Sequence, residues 1–187
     1  QEYDVEIKKV SMYNNSNIRR EIVINTLIEP AMTDYMTNIV HPSFSNLQIE
    51  TYYDEELDIL VASKRKKNDE DSDLFVYAKL VGIDLEKEVE TEKMKVSKND
   101  MSAYDGNVVR YPLWPILSYR TSIILDPYKI QEFYYIVFVA DSKYKIANTV
   151  VNLDEKGIEE QFKLSGEINS VVAKYLKLEP TRAEIYN

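Results

Sequence analysis

Apolar and polar residues alternate with a period of two through most of the first eighty positions, a pattern that half-buried β-strands satisfy because successive side chains leave the backbone on opposite faces. In "IRREIVINTLIEP" the period puts Ile18, Ile22, Ile24 and Ile28 on one face. In "NLQIETYYD" it groups Leu47, Ile49, Thr51 and Tyr53. "LDILVASK" and "DLFVYAKLV" continue it with Leu57, Ile59 and Val61, then Leu74, Val76, Ala78 and Leu80. With "DVEIKKVSMYN" ahead of them, these runs are expected to form an antiparallel meander.

Strands resume with "ILSYRTSIIL" and "EFYYIVFVA", the second apolar on both faces and therefore expected to be central. "DPYK" between them reads as a turn, since Pro127 presets its φ and Asp126 can bond back to the backbone. After Ala140 the period changes. Asp141 or Ser142 is placed to cap a helix with Tyr144, Ala147 and Val151 on one side. Farther on, Ile168, Val171, Val172, Tyr175 and Leu176 follow the spacing of an amphipathic helix that Pro180 closes. Two polar stretches interrupt the strands. "KRKKNDEDSD" reads as a long solvated hairpin loop, and "EKEVETEKMKVSKNDMSAYDGN" as irregular or edge-like. The fold class is thus mainly β, antiparallel, with C-terminal helices: a sandwich over 1–140 and a helical linker over 141–187.

A net charge of −9 has the wrong sign for a protein held on phosphate backbones, so nucleic acid is not an expected partner. The longest apolar run, "FYYIVFVA", is far short of the roughly 20 residues a membrane helix requires. The chain has no cysteine, which rules out disulfides and thiolate metal sites and is compatible with the cytoplasm, the expected location. It begins "QEYDVEIKKV" without an initiator methionine and reads as a fragment or processed piece.

Candidate chemistry is sparse. His41 is the one histidine, and the familiar triads require a base beside the nucleophile. Because it precedes Pro42, its backbone is pushed to extended geometry, which suits a structural corner leading into a strand; a ligand contact is the second reading and catalysis the third. Phe44 is expected to anchor that corner in the core. Asp69, Asp71 and Asp73 open like a calcium loop, but Leu74 stands where that loop needs glycine, and the reading fails. Four glycines cannot write a phosphate-cradling or dinucleotide loop, and no cofactor is expected. The carboxylates Asp54, Glu55 and Glu56 are expected to form a solvated turn rather than a hydrolytic pair. Trp114, the single tryptophan, could fill the core or stack on a sugar ring, with packing preferred.

Several segments, read in order, resemble the glycoside phosphorylases related to cellobiose and chitobiose phosphorylase (glycoside hydrolase family 94). The branch most resembled is that of cyclic β-1,2-glucan synthase and 1,2-β-oligoglucan phosphorylase. "VEIKKVSMYNNSNIRREIVINTLIEP" resembles their opening strand pair, with an asparagine-serine turn between the strands. "HPSFSNLQIETYYD" resembles the branch's histidine-proline-x-phenylalanine corner. "WPILSYRTSIILDPYKIQEFYYIVFVADSKYKIA" resembles the strand, turn, strand and helix that follow, and "YLKLEPTRAEIYN" the linker to a catalytic barrel. Where relatives tend to have aspartate before the proline of "PILSYR", this chain has Trp114. The resemblance implies an antiparallel β-supersandwich of the galactose-mutarotase type, preceding an (α/α)6 barrel that carries the catalytic residues. On that reading the chain has no catalytic residue and is inert alone. It supports the missing barrel, contributes to homodimer contacts, and lends contacts from His41 and Trp114 to a β-glucan or oligosaccharide. A free-standing carbohydrate-binding module and a protein-interaction scaffold are the alternatives.

Overall fold

The computed structural model describes residues 4–66, 68, 73–83, 86–93, 106–151 and 153–175. In chain order the elements are β1 (Asp4–Tyr13), β2 (Arg20–Ile28), α1 (Tyr35–Val40), α2 (Pro42–Asn46), β3 (Ile49–Asp54), β4 (Ile59–Lys64), β5 (Phe75–Val81), β6 (Glu88–Glu92), β7 (Pro115–Leu125), β8 (Ile130–Ala140), α3 (Lys143–Val151) and α4 (Glu155–Tyr175). The chain divides into two compact units, 1–148 and 149–187.

The fold is mainly β and antiparallel, as the alternation requires, but the expected five-strand meander survives only as β3, β4 and β5. The larger sheet has the order β1-β8-β5-β4-β3 and the smaller the order β2-β7-β6. β1 pairs with β8 from Asp4↔Val139 to Tyr13↔Ile130, and β2 with β7 from Arg20↔Leu125 to Ile28↔Leu117. The reason lies in β7 and β8. Both are eleven residues long and largely buried, so each must sit inside a sheet, which leaves β1 and β2 as their outer partners in different sheets.

The sheets pack face to face through one core. Leu60, Ala62, Ala78, Leu80, Phe133 and Tyr135 come from the larger sheet, and Ile24, Val89, Leu117, Tyr119 and Ile123 from the smaller. β2 turns Ile22, Ile24 and Ile28 inward as its period demands, whereas Ile18 lies ahead of the strand and is exposed. β4 is buried on both faces and sends Leu60 and Ala62, rather than Ile59 and Val61, into the inter-sheet core. Tyr119 crosses that core. Its hydroxyl donates to the Ala78 carbonyl at 2.9 Å and accepts the Leu60 N–H at 3.0 Å, tying the smaller sheet to the point where β4 and β5 begin to pair. Burial first, and then the charge of Asp58, holds its phenol well above the ordinary range.

One corner shows how a short polar signal fixes topology. Asn14 is buried and its side-chain amide donates to the carbonyls of Ile18, Leu125 and Asp126 at 2.8, 2.9 and 3.1 Å. Its N–H donates to Lys129 and its carbonyl accepts from Tyr128. The β1–β2 connection and the β7–β8 turn are therefore laced side by side. In that turn the Lys129 N–H reaches the Asp126 carbonyl, Tyr128 adopts φ +57°, and the Asp126 carboxylate pairs with Arg19 at 3.4 Å instead of bonding back.

The segment around His41 differs from its expectation. His41 does not lead into a strand; at φ −133°, ψ 60° it is the hinge between α1 and α2, and Pro42 opens α2. Proline suits that first helical position because its missing N–H would have no partner there. Leu47 caps α2 and is exposed, so β3 starts at Ile49. Phe44 is 55% exposed and is not a core anchor. α1 itself is capped by Asp34, which accepts from the Thr37 N–H at 2.9 Å and the Thr37 hydroxyl at 2.6 Å.

The polar interruptions behave differently from each other. Lys66 and Asp73 pair at 3.1 Å across the neck of the β4–β5 loop; Asp69 and Asp71 lie outside the described residues. "EVETE" is the edge strand β6, while 94–105 lie outside the described residues. Among the described side chains of α3, Ile146 and Thr149 are buried and Ala147 is exposed. α4 begins much earlier than position 166. Asp154 caps it, accepting the Gly157 N–H at 2.7 Å, and Ile168 on it is exposed. Leu176 and Pro180 lie outside the described residues. None of the described helices is long and apolar enough to cross a membrane.

Candidate functional site

β3 and β6 are edge strands of different sheets, and the segment 106–114 runs along both of them. Three consecutive β6 residues hold it. Glu90 is fully buried; its carboxylate accepts the N–H groups of Thr91 and Glu92 and, at 3.4 Å, that of Asn107. Thr91 accepts the Val109 N–H at 2.6 Å and donates to the Val109 carbonyl at 3.0 Å. Glu92 takes two successive amides, Leu113 at 2.7 Å and Trp114 at 3.1 Å, one on each oxygen. From β3, the Thr51 N–H donates to the Arg110 carbonyl at 3.0 Å. A carboxylate accepting paired amides makes stronger, charge-assisted bonds, so the loop is braced rather than loose.

The braced loop presents rings outward. Trp114 is 48% exposed with the Lys93 ammonium 5.5 Å from its ring centre, and Lys93 also pairs with Glu29 at 2.6 Å. Tyr111 is 53% exposed, with the guanidinium carbons of Arg65 and Arg110 at 5.2 and 5.3 Å from its centre. Arg65 is anchored in turn by the Leu47 carbonyl. Trp114 therefore does not fill the core; Lys93 beside the ring adds a cation–π contact that fixes its plane.

Among the described residues, His41 is linked to this loop only through α2. The Asn46 side chain donates to the Leu113 carbonyl at 3.4 Å, which brings the end of α2 to the residue before Trp114. His41 stands at the other end of that five-residue helix, exposed and making no side-chain cap bond. Sequence reasoning singled out His41 and Trp114 and missed Tyr111, Arg65, Arg110 and Lys93. The signal was present in "VVRYPLWP", where arginine, tyrosine and tryptophan crowd around two prolines in a stretch too rigid for a helix and too irregular for a strand.

Exposed rings flanked by cations and carboxylates can stack on the apolar face of a sugar and hydrogen-bond its hydroxyls. They cannot by themselves transfer protons. Glu90 and Glu92 are engaged by backbone amides, and Asp54 accepts the Leu57 N–H within a turn. Among the described residues no group of three or more potential metal ligands gathers.

The profile of the glycosyl hydrolase 94 supersandwich domain matches residues 1–155. The chain belongs to that family. The match covers both sheets and α3, and it makes this the noncatalytic sandwich domain of a glycoside phosphorylase family. No curated protein matches the chain. Within the glycosyl hydrolase 94 supersandwich, the loop 106–114 and its β6 clamp are thus features of the accessory domain.

Proposed function

We propose that this supersandwich supports a catalytic barrel in an enzyme of the cyclic β-1,2-glucan synthase and 1,2-β-oligoglucan phosphorylase branch, contributes to dimer contacts, and offers Trp114 and Tyr111 to a β-linked glucan with His41 at the margin. The observation that carries the carbohydrate part is the bracing of two half-exposed rings by buried Glu90, Thr91 and Thr51 together with Glu92. Holding aromatic surface in water on a fixed backbone is unfavourable for a domain that has only to pack, and it pre-organises a stacking platform.

Trp114 is the only tryptophan, so its emission reads this site without labelling. Titration with 1,2-β-oligoglucan is expected to change Trp114 fluorescence saturably, more weakly in Tyr111→Ala and in His41→Ala. Unchanged emission across the solubility range of the oligoglucan refutes the sugar role. Saturable binding by the isolated chain, as tight as in an enzyme carrying the barrel, would instead favour a free-standing binding module.

A further inference from the structure

Two arginines converge on the ring of Tyr111. Arg65, the residue after β4, gives its N–H to the Gln48 carbonyl at 2.8 Å and anchors its side chain on the Leu47 carbonyl. Arg110 is held through its own carbonyl, which accepts the Thr51 N–H at 3.0 Å. Both backbones are thus tied to β3 and the residues that lead into it, and both guanidinium carbons lie over Tyr111, at 5.2 and 5.3 Å from the ring centre. A guanidinium stacked on a ring keeps its planar edge of N–H donors free, and that edge fits an oxyanion two bonds at a time. Stacking on Tyr111 fixes where the two edges stand, and both arginines are exposed.

The cations along this loop are not neutralised equally. Lys93, beside Trp114, pairs with Glu29 at 2.6 Å, and Lys66, next to Arg65 in sequence, pairs with Asp73 at 3.1 Å. Arg110 has Glu50 at 3.8 Å, the long end of ion-pair distances, and among the described residues no carboxylate pairs with Arg65. The Tyr111 end of the loop therefore carries a local positive excess in a chain whose net charge is −9. Two like charges gathered on one ring repel each other, and an anion between their donor edges offsets that repulsion. Two arginines are too few to hold an acidic chain on a nucleic-acid backbone. The site is instead continuous with the exposed Trp114 ring on the same braced loop, which supplies a stacking surface for whatever carries the anion.

We infer that Arg65 and Arg110, spaced by Tyr111, form a subsite for an oxyanion carried on a saccharide, a phosphate ester or a uronate carboxylate, with the saccharide extending along the loop toward Trp114. The inference rests on the carbohydrate part of the proposed function and adds the charge class of the ligand. Titration of the full chain with glucose 6-phosphate and, separately, with glucuronate tests it, read by NMR at the assigned side-chain Nε–Hε resonances of the two arginines. Saturable shifts of both resonances are expected, weaker as salt is raised, and the tighter of the two probes names the substituent. Glucose is expected to leave both resonances in place. Arg65→Gln and Arg110→Gln are each expected to weaken binding about tenfold or more, as loss of a hydrogen bond to a charged group does. Arg110→Lys keeps the charge but not the planar fork and should recover only part of that loss. The unfolding midpoint of Arg110→Gln should stay at the parental value, because this side chain is exposed and only its backbone braces the loop.

Arginine resonances that stay in place with both sugar anions overturn the inference, as does binding that survives both glutamine substitutions. Inorganic phosphate bound as tightly as glucose 6-phosphate would also overturn it, by assigning the arginines to the free ion. Flotation with phosphatidylglycerol vesicles, lost in Arg65→Gln, would do so by assigning them to a lipid headgroup. The titration of Trp114 with neutral oligoglucan is independent of these outcomes. A Trp114 response without arginine shifts removes the anion subsite and leaves the neutral glucan standing, whereas arginine shifts without that response remove the neutral glucan and leave an anionic saccharide as the ligand.

Discussion

Replacing Tyr119 by phenylalanine removes one oxygen from the centre of the sandwich and leaves the ring in place. That oxygen has two close backbone partners, the Leu60 N–H at 3.0 Å and the Ala78 carbonyl at 2.9 Å, in residues that are both wholly buried, and a longer contact to the Asp58 carbonyl at 3.4 Å. Each orphaned buried group costs about 1–3 kcal/mol, so the pair sets a destabilisation of about 2–4 kcal/mol, the lower part of the doubled range because Leu60 and Ala78 are register partners and can draw together. Tyr77→Phe is the matched control. Tyr77 is equally buried, but its hydroxyl has no hydrogen-bond partner among the described residues, so its removal is expected to be neutral or mildly stabilising. Urea unfolding of both variants, with unchanged m-values, gives the comparison. Equal midpoints for Tyr119→Phe and Tyr77→Phe would refute the view that Tyr119 ties the sheets together through the backbone of β4 and β5.

Glu92→Gln keeps one acceptor oxygen where two amides, Leu113 and Trp114, now have one each; a loss of about 1–3 kcal/mol is expected, with a red shift of Trp114 emission as the loop loosens. Phe44→Ala should change the monomer's stability by less than about 1 kcal/mol in urea unfolding, since the ring is more than half exposed. Burial is the first cause that holds the phenols of Tyr119 and Tyr135 above their ordinary value of 10.0. In the unfolded chain both ionise near that pH while the folded chain keeps them protonated. The unfolded state then binds fewer protons, and stability must fall as pH rises above about 10, by up to about 1.4 kcal/mol per unit for each tyrosine. A melting temperature that is flat from pH 9 to the upper end of the accessible range contradicts this; those limits are roughly one unit below and two above the tyrosine reference.

Period-two alternation located the strands and the inward faces of β2 and β5, as at Ile22, Ile24 and Ile28 or at Ala78 and Leu80, but in β4, buried on both faces, it pointed to Ile59 and Val61 where Leu60 and Ala62 enter the inter-sheet core. It could not give their order, because pairing β1 with β8 and β2 with β7 is decided by which strands are apolar on both faces and by the lacing at Asn14. The HPSF segment misled for a local reason. Proline after His41 restricts the histidine to non-helical geometry, which fits a strand approach and equally fits a hinge before a helix that the proline itself begins. Phe44 read as core because exposed phenylalanine is uncommon, and only the outward orientation of the apolar side chains of α1 and α2 explains it. The aromatic loop was half legible. Trp114 stood out, but its exposure depends on Glu90 and Glu92, whose burial as backbone clamps is invisible in a stretch that reads as polar and solvated.

The central claim is that this chain is the noncatalytic sandwich of its family, with Glu90 and Glu92 engaged by backbone amides and its one histidine at a surface hinge. Incubation of the full chain with 1,2-β-oligoglucan and inorganic phosphate, followed by measurement of glucose 1-phosphate and of reducing ends, tests that claim directly. The account predicts no release of either above a buffer blank. Phosphate-dependent formation of glucose 1-phosphate that rises in proportion to the chain and disappears in His41→Gln would contradict it.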